Sequence, residues 1–180
     1  MQGIVFLLDA VFSFFIVLFL LRFLMQWSST SFFNPLGELV LKLTAWASHP
    51  LRKFIRSYGK FDWASLICAI LGVIILKILI AVLMFGNLLE IATPESIFTL
   101  ALSCAFYLLR LVLDIYVFVI LGSALLSWVN PHSAIAYPLH TLSAPILNPI
   151  RKFMPKLSGI DLSPLVAILL IQTLLIYIPS

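Results

Sequence analysis

Five charged residues interrupt the long apolar runs of this 180-residue chain: Asp9, Arg22, Lys77, Arg110 and Asp114. A charge at the centre of a bilayer costs roughly 3 kcal/mol on insertion scales, so such residues mark ion pairs, polar paths or functional sites. Counted inward from Trp27, Asp62 and Trp128 at about 1.5 Å per residue, Asp9 and Arg110 lie about 27 Å deep, and Lys77 and Asp114 about 21 to 23 Å deep. Two acids and two bases therefore share one level, and Arg110 and Asp114 stand four apart on one helix face. Asp9, Lys77, Arg110 and Asp114 are expected to form a neutralised intramembrane cluster open to the outer side. The competing reading is snorkelling to the outer interface. Arg22, five residues before Trp27, is expected to reach lipid phosphate.

A second set of residues suits anion binding and helix clamping, and it occurs twice. Pro50, Arg52, Lys53, Phe54 and Asp62 recur as Pro149, Arg151, Lys152, Phe153 and Asp161 at a constant offset of 99, so the chain is an internal duplication. Asp62 and Asp161 each precede an apolar run and are expected to cap the helix that follows, accepting its free N–H groups and offsetting its dipole. Arg52 and Arg151 lie ten residues before those acids and could clamp one helix to the next. Arg52, Lys53, Arg56, Arg151, Lys152 and Lys156 are the expected contacts for anionic lipid or a partner.

Other chemistry finds little support. His49, His132 and His140 have no metal-ligand spacing and read as solvated interfacial side chains. Cys68 and Cys104 sit in apolar runs without a CxxC or Cys-His pattern and read as small buried residues. No phosphate-cradling Gly-rich loop, GxSxG elbow, HExxH or potassium-filter motif occurs in the sequence. The expectation is a non-enzymatic protein without cofactor or metal.

The elements that must position these residues follow from composition. The chain is 63% hydrophobic and 10% charged, against about 25% charged in soluble domains, which predicts an integral membrane protein. The net charge of +4 comes from bases flanking apolar runs, so it is read as a topology signal and no nucleic-acid partner is expected. Residues 5–25, 64–85, 101–128 and 162–178 are the predicted spans, the third long enough to tilt or protrude and the fourth short enough to run nearly upright. Eight of the eleven Lys/Arg fall between spans one and two or three and four, which predicts those segments to be cytoplasmic and both termini to face outward. Ser65, Cys68, Ala69 and Gly72 make a small-residue face suited to close helix packing.

In segment 34–58, Leu36, Leu39, Val40, Leu43, Trp46, Ala47, Pro50, Leu51 and Phe54 form a helical apolar stripe, with Glu38, Lys42, His49, Arg52 and Lys53 largely on the opposite face. This predicts an amphipathic helix in the interface, or a cap packed on the bundle. Segment 131–157 repeats the stripe more weakly, broken by Pro138, Pro145 and Pro149. The expected fold is an all-α membrane protein of four transmembrane helices in two parallel repeats, 1–88 and 89–180, each with a cytoplasmic amphipathic helix.

Arg22-Phe23-Leu24-Met25-Gln26-Trp27, Asn34-Pro35, Pro149-Ile150-Arg151-Lys152 and Gly159-Ile160-Asp161-Leu162-Ser163-Pro164 resemble the signature of the YggT family of bacterial membrane proteins, also called YlmG. The resemblance covers nearly the whole chain and implies a multi-pass protein of the bacterial inner membrane. It implies a role in osmotic-shock tolerance and potassium homeostasis, or else as a scaffold or assembly factor for cell division or for c-type cytochrome and haem maturation. It supplies no catalytic residues, and leaves open a homo-oligomer or a membrane-protein partner. The first copy departs from the pattern, with Trp46 for Pro145, Arg56 for Pro155 and Ala64-Ser65 for Ser163-Pro164, so the second copy is expected to be the more specialised.

Overall fold

The computed structural model describes residues 2–54, 61–85, 94–153 and 161–179. They form six helices: α1 (Gln2–Trp27), α2 (Pro35–Phe54), α3 (Trp63–Phe85), α4 (Pro94–Val129), α5 (Ala136–Phe153) and α6 (Ser163–Tyr177). No strand occurs among the described residues. α1, α3 and α4 are long and apolar enough to cross a membrane; α6 is apolar but shorter, at 15 residues. The expected count of four spans thus becomes three long helices and one short one.

α1, α2 and α3 pack on one another, as do α4, α5 and α6, and α4 joins the two groups through α3 and α1. The core follows the seams: Ile16, Leu20 and Met25 of α1, Val73 and Leu76 of α3, Ile120 of α4, and Leu142 and Leu147 of α5 are almost wholly enclosed. Elsewhere the large apolar side chains of α1, α4 and α6 point outward, as a lipid-facing surface requires, because hydrocarbon solvates them as well as a core does.

The α1–α2 corner is tightly built. Thr30 N–H donates to Met25 O at 2.8 Å and Ser29 N–H to Gln26 O at 3.1 Å, the paired bonds that close a helix with a left-handed residue between them. That residue is Ser29, at φ 57°. Asn34 then caps α2 through Gly37 N–H, at 2.8 Å to Oδ1, and Pro35 opens the helix where no N–H is needed. A Cβ on Gly37 would stand 2.6 Å from Phe32 Cα, so the corner requires glycine there.

Two expectations change. α5 is one continuous helix through Pro145 and Pro149, although each proline removes an N–H from the ladder. α4 begins at Pro94, seven residues before the predicted start, so Glu95 lies in its first turn and not in a loop. Arg56, Lys60, Glu90 and Lys156 lie outside the described residues.

Candidate functional site

The site is assembled where α2 meets α1 and α3. Asp62 immediately precedes α3 and is fully buried. Arg52, in the last turn of α2, donates from Nη2 to its Oδ2 at 2.5 Å, and Ser65 Oγ donates to the same oxygen at 2.8 Å. Ser65 N–H reaches Oδ1 at 3.4 Å, a long capping bond. From α1, Arg22 Nε lies 3.2 Å from Oδ2 as an ion pair, off the line of a hydrogen bond.

Arg22 is therefore not a lipid-facing side chain. It is 4% exposed, and its Nη1 donates to Thr44 Oγ1 at 2.6 Å and to Ser48 Oγ at 2.7 Å, both on α2. Those hydroxyls in turn donate to the carbonyls four residues back, at Val40 and Thr44. The physical reason is satisfaction: a buried guanidinium is tolerated where an acid and several acceptors converge on it, and α2 and α3 supply both. Arg22, Arg52 and Asp62 thus latch three helices at one point.

The second copy is built more simply. Arg151 Nε donates to Asp161 Oδ2 at 2.8 Å, clamping α5 to the entry of α6. Asp161 stands one residue outside the N-cap, Leu162, so it caps through Ser163 N–H at 3.0 Å and the Ser163 hydroxyl, not through a deeper amide. With Trp27 set against Trp128, Arg22 falls on Ser123; at the offset of 99, Thr44 falls on Ser143 and Ser48 on Leu147. Without the second arginine the pair stays open to solvent, at 33% for Arg151 and 40% for Asp161. The denser polar network therefore belongs to the first copy.

Both acids lie below the usual carboxylate range. Burial works to raise each, but for Asp62 the hydrogen bonds from Arg52 and Ser65 and the charges of Arg52 and Arg22 outweigh it. For Asp161, Ser163 and Arg151 do the same. Lys53 and Lys152 are exposed on the last turns of α2 and α5, beside these latches.

The intramembrane charges divide. Tyr107 of α4 donates to Asp9 Oδ1 at 2.9 Å, shares a 2.6 Å hydrogen bond with Ser13, and carries Lys77 Nζ 4.9 Å from its ring centroid. Asp9 and Lys77 thus converge on one tyrosine, whereas Arg110 and Asp114 make no ion pair among the described residues. Tyr107 and Ser13 escaped the sequence reading, which weighed formal charges only. Thr44 and Ser48 escaped it too, although two hydroxyls four apart beside an apolar stripe signal a buried polar partner. Among the described residues no group of three or more His, Cys, Asp or Glu could hold a metal ion.

A bundle of apolar helices, with α2 and α5 each latched to a neighbour by an Arg–Asp pair, defines a multi-pass membrane protein. The chain belongs to the CCB3/YggT family, whose model matches residues 1–84 and 102–179, two segments that follow the duplication. It is 35% identical over 176 residues to Uncharacterized protein YggT of Escherichia coli K12, covering 97% of this chain and 88% of that one. It is 31% identical over 173 residues to a Vibrio alginolyticus protein described as lying in the proC 3' region, covering 96% and 91%. A 61-residue stretch is 42% identical to YlmG homolog protein 2, chloroplastic, of Arabidopsis thaliana, covering 33% of this chain and 24% of that one. No solved structure matches.

Proposed function

We propose that the chain is a non-enzymatic protein of the bacterial inner membrane that serves the osmotic and ionic response, with α2 and α5 on the cytoplasmic side and both termini outside. The observation that carries this reading is the unequal burial of two homologous latches. Asp62 is sealed from solvent and held by the buried Arg22 as well, while Asp161 is 40% exposed; the outer arginines, Arg52 at 37% and Arg151 at 33%, are similarly open. Mobile ions screen an exposed pair and leave a buried one nearly untouched. A rise in internal salt then loosens α5 while α2 stays fixed. Lys53 and Lys152 face the anionic head groups, and the intramembrane contact of Asp9, Lys77 and Tyr107 holds the bundle together.

The test is a strain lacking its own relative of this chain, challenged with hyperosmotic potassium chloride and complemented with the wild type or with Arg151→Gln. Recovery with the wild type and its loss with the variant is the expected result. Indifference of the strain to the gene overturns the reading.

A scaffold role for another membrane complex, such as division or cytochrome-maturation machinery, is the second reading. A cleft of about 270 Å3 between α4 and α5 favours it: its surface is mostly apolar, with a few polar groups from Ser123, Ser127, Tyr137 and His140, as a protein partner would meet. Photocrosslinking from position 137 would capture a defined membrane partner if this role is the true one.

A further inference from the structure

We propose that the groove between α1, α2 and α3 holds one acyl chain of an anionic phospholipid, with the phosphate held near Lys53. This deepens the lipid-facing role given above to the basic residues.

The groove has a volume of about 370 Å3 and walls that include Phe15, Trp46, Leu51, Leu71 and Gly72. Its lining runs from Val11 to Phe19 on α1 and from Cys68 to Ile75 on α3, roughly 12 Å along the helix axes at about 1.5 Å per residue. The α1 stretch starts eight residues inward of Trp27, about 12 Å from that helix end by the same rise. That is hydrocarbon depth, where the surrounding solvent is lipid.

Shape and charge choose the occupant. The walls of the groove are almost wholly apolar and come from three helices, which suits one flexible acyl chain. Arg52, one residue beyond the lining residue Leu51, belongs to the latch that sets two guanidiniums against one carboxylate, leaving one positive charge. Lys53 adds another: it is exposed and has no hydrogen bond or ion pair among the described residues, and, seven residues beyond Trp46, it lies two helical turns along the same side of α2 as Trp46, not on the face opposite the apolar stripe as expected. An anion fits there.

The duplication supplies an internal contrast. A Cβ on Gly72 would come 3.0 Å from Ile16 Cγ1, so glycine lets α1 and α3 approach closely along this wall. At the offset of 99 the second copy has Ile171 there, 4% exposed, and Pro145 in place of Trp46.

The test is native mass spectrometry of the detergent-purified full chain, titrated with phosphatidylglycerol and with phosphatidylcholine of the same acyl composition. Leu71→Trp fills the groove from a position that is 45% exposed, and Leu170→Trp makes the same change at the 55% exposed equivalent in the second copy. The expected result is one phosphatidylglycerol retained by the wild type and by Leu170→Trp. Its affinity falls about tenfold in Leu71→Trp, as for two methylenes kept out of an apolar site. Lys53→Gln keeps a lipid but loses the preference for phosphatidylglycerol over phosphatidylcholine. Unchanged binding by a folded Leu71→Trp overturns the groove assignment even if Lys53→Gln still alters head-group choice. A wild-type dimer that Leu71→Trp splits overturns it in favour of a second copy.

Discussion

Arg22 and Asp62 are 40 residues apart in the chain and 3.2 Å apart in space, with 4% and 0% of their side chains exposed. Each is intelligible only through the other. Arg22 would be an uncompensated charge without Asp62, and Asp62 could not be sealed from solvent with Arg52 alone, as the half-open Arg151–Asp161 pair shows.

Asp62→Asn leaves two guanidiniums at one site without their acid. The expected loss is about 3 kcal/mol, the order found when one partner of a buried ion pair is removed. Asp161→Asn, at a pair open to solvent, should cost no more than about 1 kcal/mol. Thermal unfolding in detergent, read by circular dichroism, compares the two; equal losses would contradict the unequal burial.

Acid should act through the same residue. The Asp62 carboxyl is held below its unfolded value, which is about 3.9. Its contribution to stability is fully present above that value and is lost as pH falls through the lower folded value. Melting temperature should therefore drop steeply below about pH 4 in the wild type and less steeply in Asp62→Asn, which has no such proton to bind. Asp161 shifts in the same direction, and its smaller share should fade further in 0.5 M salt, a condition set by the screening length of about 4 Å.

Tyr107→Phe removes the hydroxyl that ties α4 to Asp9 and Ser13 of α1 while keeping the ring beneath Lys77. A loss of about 1.5 kcal/mol is expected, as for a hydrogen bond to a charged group. Asp114→Asn, at a residue without an ion pair among the described residues, should change melting by less than about 0.5 kcal/mol. The reverse ranking would restore Asp114 to the cluster.

The α1–α2 corner offers a gain and a loss within nine residues. Ser29→Gly relieves a left-handed conformation and should stabilise by roughly 1 kcal/mol. Gly37→Ala puts a methyl against the Phe32 backbone and should destabilise by about 2 kcal/mol. Paired melting curves check both signs.

The helical class was legible because apolar runs and repeated motifs are local signals. The ten-residue Arg–Asp spacing was legible for the same reason, and both pairs form. Arg22 was not, because the rule that lysine and arginine near a helix end snorkel to phosphate takes each residue alone. Its true partners come from two later helices. The apolar stripe of α2 also divides in space: Val40 faces the bundle beside Thr44 and Ser48, while Leu39, Leu43 and Trp46 remain exposed. Periodicity alone does not say which part of a wide apolar face meets protein and which meets lipid.

The 15 residues of α6 rise about 22 Å, against a hydrocarbon core of about 30 Å. Its neighbour α4, at 36 residues, rises about 54 Å. Packed side by side, they impose a hydrophobic mismatch of opposite sign on the two flanks of one molecule. Where α6 crosses the bilayer, lipids beside it must compress while those beside α4 need not, which would set a wedge of thinned bilayer along one flank. With α6 as a span, membranes with shorter acyl chains should accept the protein at lower cost, and a change in bilayer thickness would bear first on α6.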